Sequence, residues 1–97
     1  MNIQSLMAQA QKVQKELQQA NAEIENTKLE GVSGAVKVEI NGKNEVLKVD
    51  ITDSSVLSDK EMLEDMILVA MNDAFSKLAK LKNDKLGKYT GGMGGLF

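Results

Sequence analysis

Val36-Lys37-Val38-Glu39-Ile40-Asn41-Gly42-Lys43-Asn44-Glu45-Val46-Leu47-Lys48-Val49-Asp50-Ile51 is the stretch that decides the fold. Val36, Val38 and Ile40 alternate with Lys37, Glu39 and Asn41, and Leu47, Val49 and Ile51 alternate with Lys48, Asp50 and Thr52. Period-2 alternation marks two half-buried strands, and Asn41-Gly42 between them marks a hairpin. A two-residue Asn41-Gly42 turn would set Val38 opposite Glu45 and spoil the apolar face. A four-residue Asn41–Asn44 loop sets Val38 opposite Leu47 and Val36 opposite Val49, and this register is expected. Leu29–Ser33 adds a short third strand, with Gly31 and Gly34 marking a bulge or bend. One face is apolar and the other charged, as in an antiparallel sheet wetted on one side.

Upstream, 1–27 is rich in Gln and Ala and contains neither Gly nor Pro. Ile3, Leu6, Ala10, Val13, Leu17, Ala20 and Ile24 are spaced 3, 4, 3, 4, 3, 4, the narrow seam of a heptad helix. A helix of this length runs about 36–39 Å, whereas a compact domain of this size has a radius of gyration of about 13 Å. Part of the helix therefore projects or lies against another chain; packing against its own domain is the alternative.

Downstream, 53–57 connects to Ser58-Asp59-Lys60-Glu61, which reads as a capping box with Ser58 as N-cap. A long helix follows to about Lys88. Leu63, Ile67, Ala70, Met71, Ala74, Leu78 and Leu81 form a wide core face, broadened by Met62, Met66, Leu68, Val69 and Phe75. One small sheet cannot cover so much apolar surface, so a second surface is implied. The chain reads as one domain over 1–89 followed by a glycine-rich, mobile tail at 90–97.

The 97 residues include 12 Lys, 14 acids and no His, Cys, Pro or Trp, for a net charge of −2. No thiol nucleophile, Ser-His pair or Cys/His metal site can be built from this set. Asp50, Asp53 and Asp59 lack the spacing and the central Gly of a calcium loop. The tail glycines have neither the strand nor the Lys-Ser/Thr pair of a phosphate loop. No catalytic residue, metal, cofactor or small-molecule substrate is expected. The longest apolar run, Met66–Met71, is far short of the ~20 residues of a bilayer span, and the N-terminal residues lack the apolar stretch expected of a signal peptide. A soluble cytoplasmic protein without a membrane partner is expected.

Charge is segregated along the chain. Residues 1–28 balance at 0, 29–75 carry −6, and 76–97 carry +4. At about 100° per residue, Lys85 and Lys88 share the phase of Leu63, Ile67, Ala70 and Leu81. Unpaired ammonium groups are not buried in a core, so the second helix is expected to leave the core by Leu81 and end in water. Its lysines serve either the helix dipole and solubility or the phosphates of a nucleic acid. Charge alone requires no more than the first.

The ordered set extends this reading. Met7-Ala8-Gln9-Ala10-Gln11, Val36-Lys37-Val38-Glu39-Ile40-Asn41-Gly42, Val49-Asp50-Ile51, Asp59-Lys60-Glu61-Met62-Leu63-Glu64-Asp65, Asn72-Asp73-Ala74 and the Gly/Met-rich end together resemble the YbaB/EbfC family of bacterial nucleoid-associated proteins over essentially the full length. The resemblance implies an α+β fold, α-β-β-β-α, with a small antiparallel sheet and two long helices. It implies a tweezer-like homodimer, DNA as partner, weak sequence preference, a nucleoid location, roles in chromosome organisation and gene regulation, and no catalytic activity. With no Arg for bidentate readout of guanine, contacts would position rather than specify.

Candidate phosphate contacts are Lys77, Lys80, Lys82, Lys85 and Lys88 on the second helix, joined by Lys12 and Lys15. Candidate dimer-interface residues are Met66, Val69, Met71 and Phe75, with Leu6 and Val13 of the seam. The alternative function is a protein-interaction module built on the helical arms.

Overall fold

The computed structural model describes residues 2–90. Helix α1 (Ile3–Glu25) leads into strands β1 (Lys28–Ser33), β2 (Val36–Asn41) and β3 (Val46–Ile51), and a short 3₁₀ turn at Ser54–Ser58 precedes helix α2 (Lys60–Thr90). The sheet is antiparallel with order β1-β2-β3. The expected α-β-β-β-α fold is therefore the observed one. Residues 91–97 lie outside the described residues, and the expected tail with them; Thr90 closes α2.

The core sits where α2 crosses β1 and β2. Val36, Val38 and Ile40 are buried against Ala70, Ala74 and Leu78. The small side chains of α2 let the sheet come close. A Cβ at Gly31 would collide with the Ala70 carbonyl oxygen and with Ala74, so only glycine fits there. Gly34 turns the chain between β1 and β2 at φ +53, with the Met66 side chain against it. Gly42 does the same for α1: its Cα faces the Ile24 carbonyl, and buried Ile24 anchors the end of that helix on the β2–β3 hairpin.

The hairpin register differs from the expected one by two residues. Val36 pairs with Ile51, and Val38 with Val49. The cause lies in Asn41. Its Oδ1 accepts the N–H groups of Lys43 (2.9 Å) and Glu45 (3.1 Å), and its Nδ2 donates to Glu45 Oε1 (2.7 Å). This ties a loop with Asn44 at φ 65, and an irregularity beyond Glu39 absorbs one extra residue of β3. A shift of two preserves the faces, so the apolar side stays intact.

The cap of α2 also differs. Asp59, not Ser58, accepts the Met62 N–H (3.1 Å), while Ser58 Oγ donates to the Ser55 carbonyl (3.0 Å). The 3₁₀ turn consumes Ser58, so the next residue caps. Asp53 caps the turn itself by accepting the Ser55 N–H, which holds its carboxyl below the ordinary range.

Gly31→Ala should destabilise the fold by at least about 1–3 kcal/mol, since backbone cannot move aside as a side-chain tip would. Among the described residues, the nearest atom outside the local helix backbone that a Cβ at Gly87 would meet is Asn83 Oδ1 at 3.7 Å, so Gly87→Ala should stabilise α2 by about 0.5–1 kcal/mol. Urea unfolding of the two variants beside the parent measures both.

Candidate nucleic-acid interface

The two helices form an arm that outruns the sheet. The molecule measures 69 × 26 × 14 Å with a radius of gyration of 19.2 Å, well above the ~13 Å of a compact domain of this size. Past the sheet, α2 does not end alone in water. The second half of α1 packs antiparallel along it. Lys85 Nζ donates to Glu23 Oε2 at 2.9 Å, and Tyr89 Oη donates to Glu16 Oε2 at 3.1 Å. This corrects the expectation that α2 leaves the core by Leu81. Leu81 and Leu86 remain packed against the core cluster, and the lysine in core phase is tolerated because α1 supplies its counter-charge. Hydrogen bonding and charge from Lys85 hold the Glu23 carboxyl below its ordinary value of 4.5. Glu16, Glu23, Asp84, Lys85, Lys88 and Tyr89 line the open cleft between the helices, about 380 Å³.

The candidate lysines therefore divide. Lys85 is engaged by Glu23. Lys77 bridges Asp73 (3.2 Å) and donates to the Glu30 carbonyl (2.8 Å), which commits it to the edge of the sheet. Lys88 Nζ lies 4.9 Å from the Tyr89 ring centroid, in a cation–π contact on the rim of the cleft. Among the described residues, Lys12, Lys15, Lys80 and Lys82 form no ion pair. Lys12, Lys15 and Lys80 are exposed, and Lys82 is half-buried. The sequence missed Glu16, Glu23 and Tyr89. The signal was present in the phase of Lys85, which demanded a partner rather than an exit from the core.

The outer face of the sheet has another character. Glu30, Lys37, Glu39, Lys48 and Asp50 line it together. Register sets Lys37 opposite Asp50 and Glu39 opposite Lys48, and Lys37 lies 3.9 Å from Glu30. Opposite charges interleave there, so the face offers no net attraction to a polyanion.

The candidate interface residues do not form one patch. Leu6 and Val13 line an apolar groove with Ala10 and Leu17 on the first part of α1, about 470 Å³ in volume. Met66 lies against Gly34, and Val69 faces outward at 45% exposure. Met71 and Phe75 are half-buried. At about 100° per residue they lie on the flank of α2 away from Asp73 and Met66, on the side toward β3. Among the described residues no group of acidic side chains could hold a metal ion, and no helix is long and apolar enough to cross a membrane.

The model of the YbaB/EbfC DNA-binding family matches residues 1–93. The chain belongs to that family. It is 41% identical to a nucleoid-associated protein of Hahella chejuensis, covering 96% of this chain and 88% of the relative. It is 44% identical to the nucleoid-associated protein MCA1327 of Methylococcus capsulatus, covering 93% and 86%. The crystal structure of the uncharacterized protein HP0035 from Helicobacter pylori superposes with a TM-score of 0.76 at 25% identity, covering 92% of this chain and 97% of that one. At 92% of this chain, that superposition takes in most of the two helices as well as the three-stranded sheet.

The arm clamp has a pH signature. Because the folded pKa of Glu23 is depressed, its contribution is full above the ordinary carboxylate value and is lost as pH falls through the depressed one. Melting temperature should fall as pH drops through and below the ordinary carboxylate value of 4.5, and less steeply in Glu23→Gln. Thermal unfolding followed by circular dichroism across that range reads the difference.

Proposed function

We propose that the chain acts as a homodimer that binds DNA phosphates through its helical arms, with weak sequence preference, and so helps to organise the nucleoid and influence gene expression. Family membership supports DNA as the partner. The observation that carries the surface assignment is the sorting of charge. In sequence, the stretches that build the arm and its base, 1–25 and 76–90, carry +3, whereas 26–75 carry −5. The arm's ammonium groups that have no carboxylate partner among the described residues are those a phosphate can take without displacing a protein group. Lys12, Lys15, Lys80, Lys82 and Lys88 are therefore the primary contacts in this reading. Lys77 and Lys85 add to the field while serving the structure.

The same charge distribution explains how a chain of net charge −2 can bind a polyanion. Screening limits interactions between exposed charges to about 8–10 Å at ordinary salt. A lysine near the end of an arm is then governed by its neighbours and not by the acidic body. With no Arg in the chain, base edges are not read in bidentate fashion. The expected affinity falls in the non-specific class, about 10⁻⁴–10⁻⁶ M at physiological salt.

The dimer is supported by apolar surface the monomer leaves in water. Val46, Leu47 and Val49 of β3 are 41–45% exposed, and Leu68 of α2 is 58% exposed. Two copies would set two arms side by side and double the charge that meets a duplex.

The test is a salt titration of binding to a duplex of arbitrary sequence. The parent should show log K falling linearly with log salt. Lys80→Gln with Lys88→Gln should weaken binding about tenfold at low salt and flatten the slope by about 0.9 for each phosphate no longer neutralised. Lys28→Gln with Lys37→Gln, on the outer sheet face, should change neither. No binding at low salt would refute the DNA reading and favour a protein partner for the arms.

A further inference from the structure

The apolar seam of α1 runs out from under its cover. Where α2 lies alongside, Ile24 is buried and Leu17 and Ala20 are half-buried. Farther toward the N-terminus the same stripe stands open, with Val13 39% exposed, Leu6 47% and Ile3 71%. Leu6, Ala10, Val13 and Leu17 line a groove there together with Gln9 and Gln14. At about 100° per residue, the two glutamines flank the stripe on either side. The change from covered to open falls where α2 stops. Tyr89, one residue from the end of α2, meets Glu16 of α1. The helices are antiparallel, so α2 ends pointing along the open stretch of α1. The chain continues with Gly91-Gly92-Met93-Gly94-Gly95-Leu96-Phe97.

We propose that residues 91–97 dock in this groove of their own chain, with Met93, Leu96 and Phe97 seated over the seam. The proposal needs neither the DNA reading nor the homodimer reading above.

The lengths agree. At about 1.5 Å per residue, Leu6 lies about 15 Å beyond Glu16 along α1. At about 3.3 Å per residue, residues 91–97 span up to about 23 Å. Met93 is then within reach of Val13 and Ala10, and Leu96 and Phe97 within reach of Leu6. The chemistry agrees as well. Residues 91–97 contain no ionisable side chain, and none lines the groove. The glycine pairs on either side of Met93 have no side chains to hold the backbone away from Ala10, and Met adapts to an irregular gap. The Gln9 and Gln14 amides both donate and accept, which suits the N–H and C=O groups of a docked backbone.

The apolar surface of a second copy competes for the same seam. The tail has the advantage of its tether, which raises its effective concentration to the millimolar range. Docking gives the first half of α1 the tertiary packing that a helix of so few turns needs in water. Lys12 and Lys15 lie on the far side of α1, about 130–170° from the seam at 100° per residue, so a seated tail leaves both open to solvent.

The chain has no cysteine, so engineered pairs report cleanly. Leu6→Cys with Leu96→Cys joins the seam to the tail. Gln4→Cys with Leu96→Cys is the control, because Gln4 lies across α1 from the seam at a similar height. Under mild oxidation at low protein concentration, the first pair should close within one chain at least about tenfold faster than the second. Hydrogen exchange gives the second readout. Met93→Ser, Leu96→Ser and Phe97→Ser combined should speed amide exchange at residues 7–13 about tenfold and leave the sheet unchanged. Equal closure rates for the two pairs, as expected of a tail without a seat, would overturn the proposal. A disulfide formed between chains would overturn it too and give the groove to a second copy. Exchange at 7–13 that the serine variant leaves unchanged would also overturn it. Both readouts are taken without DNA, so they stand or fall apart from the DNA reading.

Discussion

The contact between Gly31 and the Ala70–Ala74 turn of α2 is the constraint on which the rest of the structure depends. Because neither side offers bulk there, α2 lies close over β1 and β2. That placement brings Asp73 and Lys77 to the outer edge of β1, where they satisfy backbone groups of the strand. It also leaves β3 without a helix above it. Cover on one edge and exposure on the other are two results of the same off-centre crossing. Interior packing tolerates little change of volume at such a point, so the asymmetry is fixed by a few atoms.

The arm follows from length. At 31 residues α2 outruns a sheet of six-residue strands, and its distal half needs another partner. The second half of α1 supplies it, with a carboxylate for Lys85 and another for Tyr89. The contact is polar at its rim. Lysines not used in the clamp remain available on its surface. The body keeps the acids, several of them as helix caps and cross-strand partners with structural duties.

Much of this was legible in the residues. The alternation of Val36-Val38-Ile40 with charged neighbours identified the strands and their faces, and the heptad seam identified α1. The surplus of apolar positions on α2 announced a surface that the chain cannot cover. What local pattern could not give was decided by single side chains acting across the structure. The hairpin register turned on Asn41 binding Glu45, and the cap of α2 moved to Asp59 once the 3₁₀ turn had taken Ser58. The end of α2 was misread because Lys85 was weighed alone, when its partner lies on another helix. Periodicity reports which face of an element is apolar. It does not report what another element brings to that face.

That the arm, and not the sheet, meets DNA is the central claim. Backbone amide chemical-shift mapping by NMR, during titration with a duplex of arbitrary sequence at low salt, tests it most directly. Shifts should concentrate around Lys12, Lys15, Lys80, Lys82 and Lys88, with the strand residues Glu30, Lys37 and Glu39 silent. Shifts centred on the outer face of the sheet, with the arm unchanged, would contradict it.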